Sequence, residues 1–112
     1  MASSRATVTV PTGASGTSDA VSTKGRRLVG IQLPTGWVTS NIQFDVSFDG
    51  VTYVGAVDAA AAAIALVAAV AAKYIALKPS DAAGAIIAPC IKVISVTSQG
   101  ANRTVQLIFS EV

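Results

Sequence analysis

Residues 56–77 read AVDAAAAAIALVAAVAAKYIAL. Three structures compete for this stretch: a membrane span, a buried alanine helix, or two short strands. A span takes about 20 mostly apolar residues, whereas the uninterrupted run from Ala59 to Ala72 has 14, bounded by Asp58 and Lys73. Alanine is the strongest helix former, but a surface helix carries a polar face, and this run offers none. Such a helix would have to be buried all round, which a chain of 112 residues can hardly arrange. The remaining reading takes AIALV (63–67) as a strand with Ile64 and Leu66 inward, KYIAL (73–77) as its partner, and AAVAA as the connection. Alanine is a poor strand former, so burial and neighbours must supply what propensity does not. Small outward side chains would also let another subunit approach closely.

The flanking sequence favours strands. NIQFDVSFDGVTYVG (41–55) alternates strictly, with Ile42, Phe44, Val46 and Phe48 on one side and Gln43, Asp45, Ser47 and Asp49 on the other, the period of a half-buried strand. Asp49-Gly50 then reads as a tight turn with positive φ, and VTYV (51–54) as the returning arm of a hairpin. RRLVGIQL (26–33) is strand-like with Val29, Ile31 and Leu33 on one side, stopped by Pro34. RTVQLIFSEV (103–112) alternates with Val105, Leu107 and Phe109 inward. AIIAPCIKVISV (85–96) is a strand broken by Pro89, and in KPSDAAG (78–84) Ser80 caps a single helical turn that Gly84 stops. Near the start, ATVTV places Val8 and Val10 on one face and Thr7 and Thr9 on the other. About seven short strands and no long amphipathic helix predict an all-β fold, an antiparallel β-sandwich of jelly-roll type. The division expected is an N-terminal arm with one strand (1–25) and a sandwich domain (26–112).

Composition narrows the function. The chain is 52% hydrophobic and 12% charged, with net charge +2, against about 25% charged residues in an ordinary domain. So few charges suggest that part of the surface is covered by another subunit or partner. One cysteine and no histidine leave no intrachain disulfide and none of the usual zinc or haem ligand sets. No Ser-His-Asp, Cys-His or phosphate-loop arrangement is present, so no enzymatic activity, cofactor or metal is expected. A calcium site from Asp45, Asp49 and Asp58 fails on geometry, because Asp45 and Asp49 stand about 13 Å apart along a strand. The N-terminus lacks the apolar run of a secretory signal. Cys90, after Pro89, reads as a small buried hydrophobe.

RRLVGIQLPTGWVTSNIQFDVSFDGVTYVGAVD, KYIALKPSDAAGA and IKVISVTSQGANRTVQLIFSEV together resemble small β-sandwich virion structural proteins of tailed bacteriophages, over about residues 26–112. The resemblance implies a virion component, decorating or cementing the head or forming part of a fibre or tail. The section around Trp37 and IQFDVSFDGVTY also resembles discoidin-type carbohydrate-binding sandwiches. The expected function is a capsid decoration subunit, made in the host cytoplasm and bound to the outer shell. It would act as a homo-oligomer, a trimer in the favoured form, with the major capsid protein or another virion protein as partner and neither nucleic acid nor membrane. The candidate partner-binding residues are Thr7, Val8, Thr9 and Val10, able to add a strand to a neighbour's sheet, and Arg26 and Arg27, which with Lys24 form the one basic cluster. The ordinary reading of that cluster is a solvated strand start. The alternative function is a carbohydrate-binding fibre or baseplate module stacking a sugar on Trp37, Tyr53 or Tyr74. The ordinary reading there is Trp37 as a core plug and the tyrosines at the sandwich edge.

Overall fold

The computed structural model describes residues 3–13, 15–57, 59–77 and 88–110. Among the described residues the strands are β1 (Ser3–Val10), β2 (Gly16–Thr17), β3 (Val21–Ser22), β4 (Arg27–Gln32), β5 (Ser40–Ser47), β6 (Val54–Gly55), β7 (Ala65–Ala69), β8 (Tyr74–Ala76), β9 (Cys90–Ser95) and β10 (Arg103–Ser110). One sheet runs β1-β10-β4-β8. In the other, β9 and β5 form the centre, β2 and β3 lie along β9, and β6 and β7 along β5. The outermost partners in sequence pair first: β1 with β10, then β2 and β3 with β9, β4 with β8, and β5 with β6 and β7. This is one long hairpin wrapped around a barrel axis, the connectivity of a jelly roll.

Alternation decides which side chains fill the space between the sheets. Val8, Val10, Leu28, Ile31, Val105, Leu107 and Phe109 enter from the first sheet. Ile42, Phe44, Ala69, Ile91 and Val93 enter from the second. Trp37 closes one end of this core, with its ring buried and its indole N–H donated to the Ala69 carbonyl at 3.2 Å. A buried indole needs such an acceptor.

The strand-loop-strand reading of the alanine run holds, but its two strands do not pair with each other. β7 joins β5 in one sheet and β8 joins β4 in the other. The link between them crosses from sheet to sheet, tied to the Pro34 carbonyl by the Ala72 N–H at 3.1 Å and to Leu33 through the Lys73 carbonyl at 3.0 Å. Ala61 and Ala72 both take left-handed backbone, φ 63° and 59°, which no helix tolerates.

Two inward faces differ from expectation. On β4, Leu28 is buried and Val29 only half-buried. The pairs Phe109↔Leu28 and Ile108↔Gly30 leave Val29 as the extra residue of a bulge, and a bulge reverses the alternation beyond it. On β5 the strand ends at Ser47, which is buried, and Phe48 is thrown outward. Within the segment 1–25, expected as an arm with one strand, three strands pair into the two sheets: β1 with β10 over its whole length, and β2 and β3 with β9. The Ser80–Gly84 turn and the 85–87 part of the Pro89 strand lie outside the described residues.

Candidate functional site

Two surfaces stand out, one on each sheet. The first is the β5–β6 connection. Ser47 and Asp49 build it from inside: the Ser47 Oγ accepts the Gly50 N–H at 2.9 Å and donates to Asp49 Oδ1 at 2.9 Å. Asp49 Oδ1 also accepts the N–H groups of Val51 at 2.8 Å and Thr52 at 2.9 Å. These bonds hold the Asp49 carboxyl below its ordinary 3.8, those from Thr52 and Val51 most of all and that from Ser47 next. Gly50 supplies the one positive φ needed, 77°. The return strand therefore starts at Val54 rather than Val51, and the turn is a six-residue loop rather than a two-residue one.

That loop projects apolar side chains into solvent. Phe48 is 78% exposed and Val51 83%, with Val54 and Val57 more than half exposed. Phe48, Val54, Val46, Ser47, Asp49 and Thr52 line an open hollow. Beside it, Tyr53 is half-buried, with the Lys92 ammonium 4.1 Å from its ring centroid, a cation–π contact. Burial pushes the Tyr53 phenol above its usual 10.0, and the adjacent Cys90 raises it further by charge and by its hydrogen bond. Cys90 is only half-buried and free.

The second surface is the outer face of the four-stranded sheet. Cross-strand pairing sets Thr7, Gln106, Gln32 and Tyr74 in one row across β1, β10, β4 and β8. The next row is Arg5, Ile108, Gly30 and Ala76. A β carbon at residue 30 would fall on the Tyr74 ring, so the ring lies across Gly30 and fills the space its missing side chain leaves. Arg5 Nη1 donates to Gln106 Oε1 at 3.4 Å.

The structure separates the residues nominated from sequence. Val8 and Val10 are buried in the core and present nothing to a partner; Thr7 and Thr9 face outward. The β1 edge is partly covered, because the Thr9 N–H is taken by Asp19 Oδ1 at 3.0 Å. Arg26 and Arg27 are half-buried at the corner leading into β4, with Arg27 paired to Ser110 and so to the far end of β1 from Val10. They share no site with Thr7 and Thr9. Trp37 is enclosed and offers no stacking face; Tyr53 has one face taken by Lys92; Tyr74 is 55% exposed. Asp58 lies outside the described residues, and among those described no three metal-ligating side chains of His, Cys, Asp or Glu type gather.

Sequence reasoning missed Gln99. It is 1% exposed, and its amide holds the Val38 backbone from both sides: Oε1 accepts the Val38 N–H at 2.7 Å and Nε2 donates to the Val38 carbonyl at 2.9 Å. Nε2 also donates to Ser95 Oγ at 3.0 Å, and the Ser95 hydroxyl in turn reaches Ser40. Every member is satisfied, the mark of a structural network rather than a reactive one. Comparison with protein-family models, with curated proteins and with solved structures finds no match to this chain.

Proposed function

We propose that this chain is a non-enzymatic virion structural protein that decorates the outside of a phage capsid as a homo-oligomer, with the β5–β6 loop seated on the shell protein. The observation that carries the reading is the exposure of Phe48 and Val51, backed by Val54 and Val57, on a loop fixed by five hydrogen bonds from Ser47 and Asp49. A rigid loop that displays a phenylalanine in water gains from having that face covered. The jelly-roll connectivity and the low charge content are in keeping with it.

Magnitudes favour several copies acting together. Burying four such side chains yields at most roughly 6–12 kcal/mol gross, while association costs about 4–15 kcal/mol in lost freedom. One loop leaves little surplus; three loops held by one oligomer on a repeating shell multiply it. The expected assembly is a trimer of the 11.2 kDa chain, placed on the virion surface with the major capsid protein as partner.

Co-sedimentation with purified capsids tests this reading. The natural chain is expected to pellet with shells, and Phe48→Asp with Val51→Asp to stay in the supernatant while unfolding at the same temperature. Equal pelleting of the two proteins, or none by either, ends it. Sedimentation equilibrium reads the copy number.

A further inference from the structure

We infer that the outer face of the four-stranded sheet is a glycan-binding platform, with Tyr74 as the stacking ring and Gln32, Gln106, Thr7 and Arg5 as the groups that read an acidic oligosaccharide. The loop assigned to the shell belongs to the other sheet, so this second site stands independently of that assignment.

The first support is the position and exposure of the ring. Tyr74 and Gly30 are diagonal neighbours across β8 and β4, since Gln32 faces Tyr74 and Gly30 faces Ala76. Because the Tyr74 hydroxyl, Cζ and Cε1 occupy the place of a β carbon on Gly30, the phenol end of the ring rests on the Gly30 backbone. The residue nevertheless stays 55% exposed. An exposed ring anchored at its hydroxyl end suits stacking against the apolar face of a sugar.

The second support is what surrounds it. Along the row, Gln32 is one strand from Tyr74, Gln106 two and Thr7 three, so hydrogen-bonding groups recur about every 4.8 Å. Primary amides both donate and accept, which matches sugar hydroxyls that do the same. The third is charge. β1, β4, β8 and β10 contain no aspartate or glutamate, and Arg5, bonded to Gln106, brings a guanidinium to within about two strand spacings of the ring, ~10 Å. That is the span of a disaccharide with its first ring on Tyr74 and a carboxylate on the second, where a guanidinium forms its strongest contacts.

The test titrates the ¹⁵N-labelled full chain with hyaluronan tetrasaccharide, which carries glucuronic acid, and with neutral chitotetraose. Saturable shifts are expected at Thr7, Gln32, Tyr74 and Gln106, with tighter binding of the acidic sugar. Tyr74→Ala lowers affinity for both about tenfold, and Arg5→Gln lowers it about threefold for the acidic one alone. Gly30→Ala keeps the tyrosine but displaces the ring, and is expected to weaken binding as Tyr74→Ala does. Gln32→Ala, an exposed position, separates binding from folding, since its thermal midpoint should match the natural chain. No shift with either sugar, shifts confined to the Phe48–Val54 loop, or unchanged affinity on Tyr74→Ala overturns the proposal. So do shifts on this face that follow protein concentration rather than sugar, which would make it a contact between copies.

Discussion

Ser47 shows how one hydroxyl can redirect a sequence pattern. Strict alternation from Ile42 sends Phe48 inward, yet Ser47 is the buried residue and Phe48 the exposed one, because Ser47 and Asp49 bind the turn more tightly than one further strand residue would hold. Period-two reading sees hydrophobicity and is blind to such side chain–backbone competition. The Asp49 carboxyl is stabilised in its charged form, so its folded pKa lies below the unfolded one and its contribution is present above the unfolded value and lost as pH falls through the folded one. Asp49→Asn is therefore expected to melt below the natural chain at pH 7, with the gap closing below about pH 4; thermal melts across pH 2–7 check it, a range set about the ordinary carboxylate value. Alanine at φ 59° is the opposite case, a residue kept where glycine fits better. Ala72→Gly should stabilise by about 0.5–1 kcal/mol, the left-handed strain relieved less the extra freedom glycine gains in the unfolded chain. Urea unfolding measures that difference.

At the level of elements, strand existence was legible and strand partnership was not. Val105, Leu107 and Phe109 of β10 face inward as their spacing predicts, because β10 is a central strand with partners on both sides. The register of β4 slips at Val29, where Gly30 and the overlying Tyr74 ring take the outward place; nothing local in RRLVGIQL signals that bulge. AIALV and KYIAL are close in sequence, and nearest neighbours usually pair, but the jelly-roll path sends them to opposite sheets. Of the nominated stacking residues, Tyr74 is the most exposed, and its place over a glycine of another strand could not be read from its own segment. Gln99 could have been noticed only as a long amide in TSQGAN, a turn otherwise built of small residues. Its replacement by alanine leaves the Val38 N–H and carbonyl without their partners. The expected cost is about 2–4 kcal/mol, read as a drop in the urea midpoint with an unchanged slope.

For the whole molecule, the wrapping order makes the first strand structural. An N-terminal arm that reaches a neighbour could be removed without harm, whereas β1 contributes Val8 and Val10 to the core and covers one side of β10 over eight paired residues. In a jelly roll the first and last strands close the sheet together, so losing either opens the barrel along its length. Deletion of residues 1–12 would strip two buried valines, worth roughly 1.5–3 kcal/mol each, and leave β10 an unprotected edge carrying Val105, Leu107 and Phe109. An exposed apolar edge of that length is a template for intermolecular pairing. The truncated chain is expected to lose its cooperative thermal transition and to run as aggregates on size exclusion. Truncation to residue 4 spares all but the first two paired positions and should retain both the transition and the native elution volume. A shortened chain lacking 1–12 that still melted cooperatively would mean that β1 is detachable, and a detachable β1 would restore these residues as a strand to be lent to a neighbour.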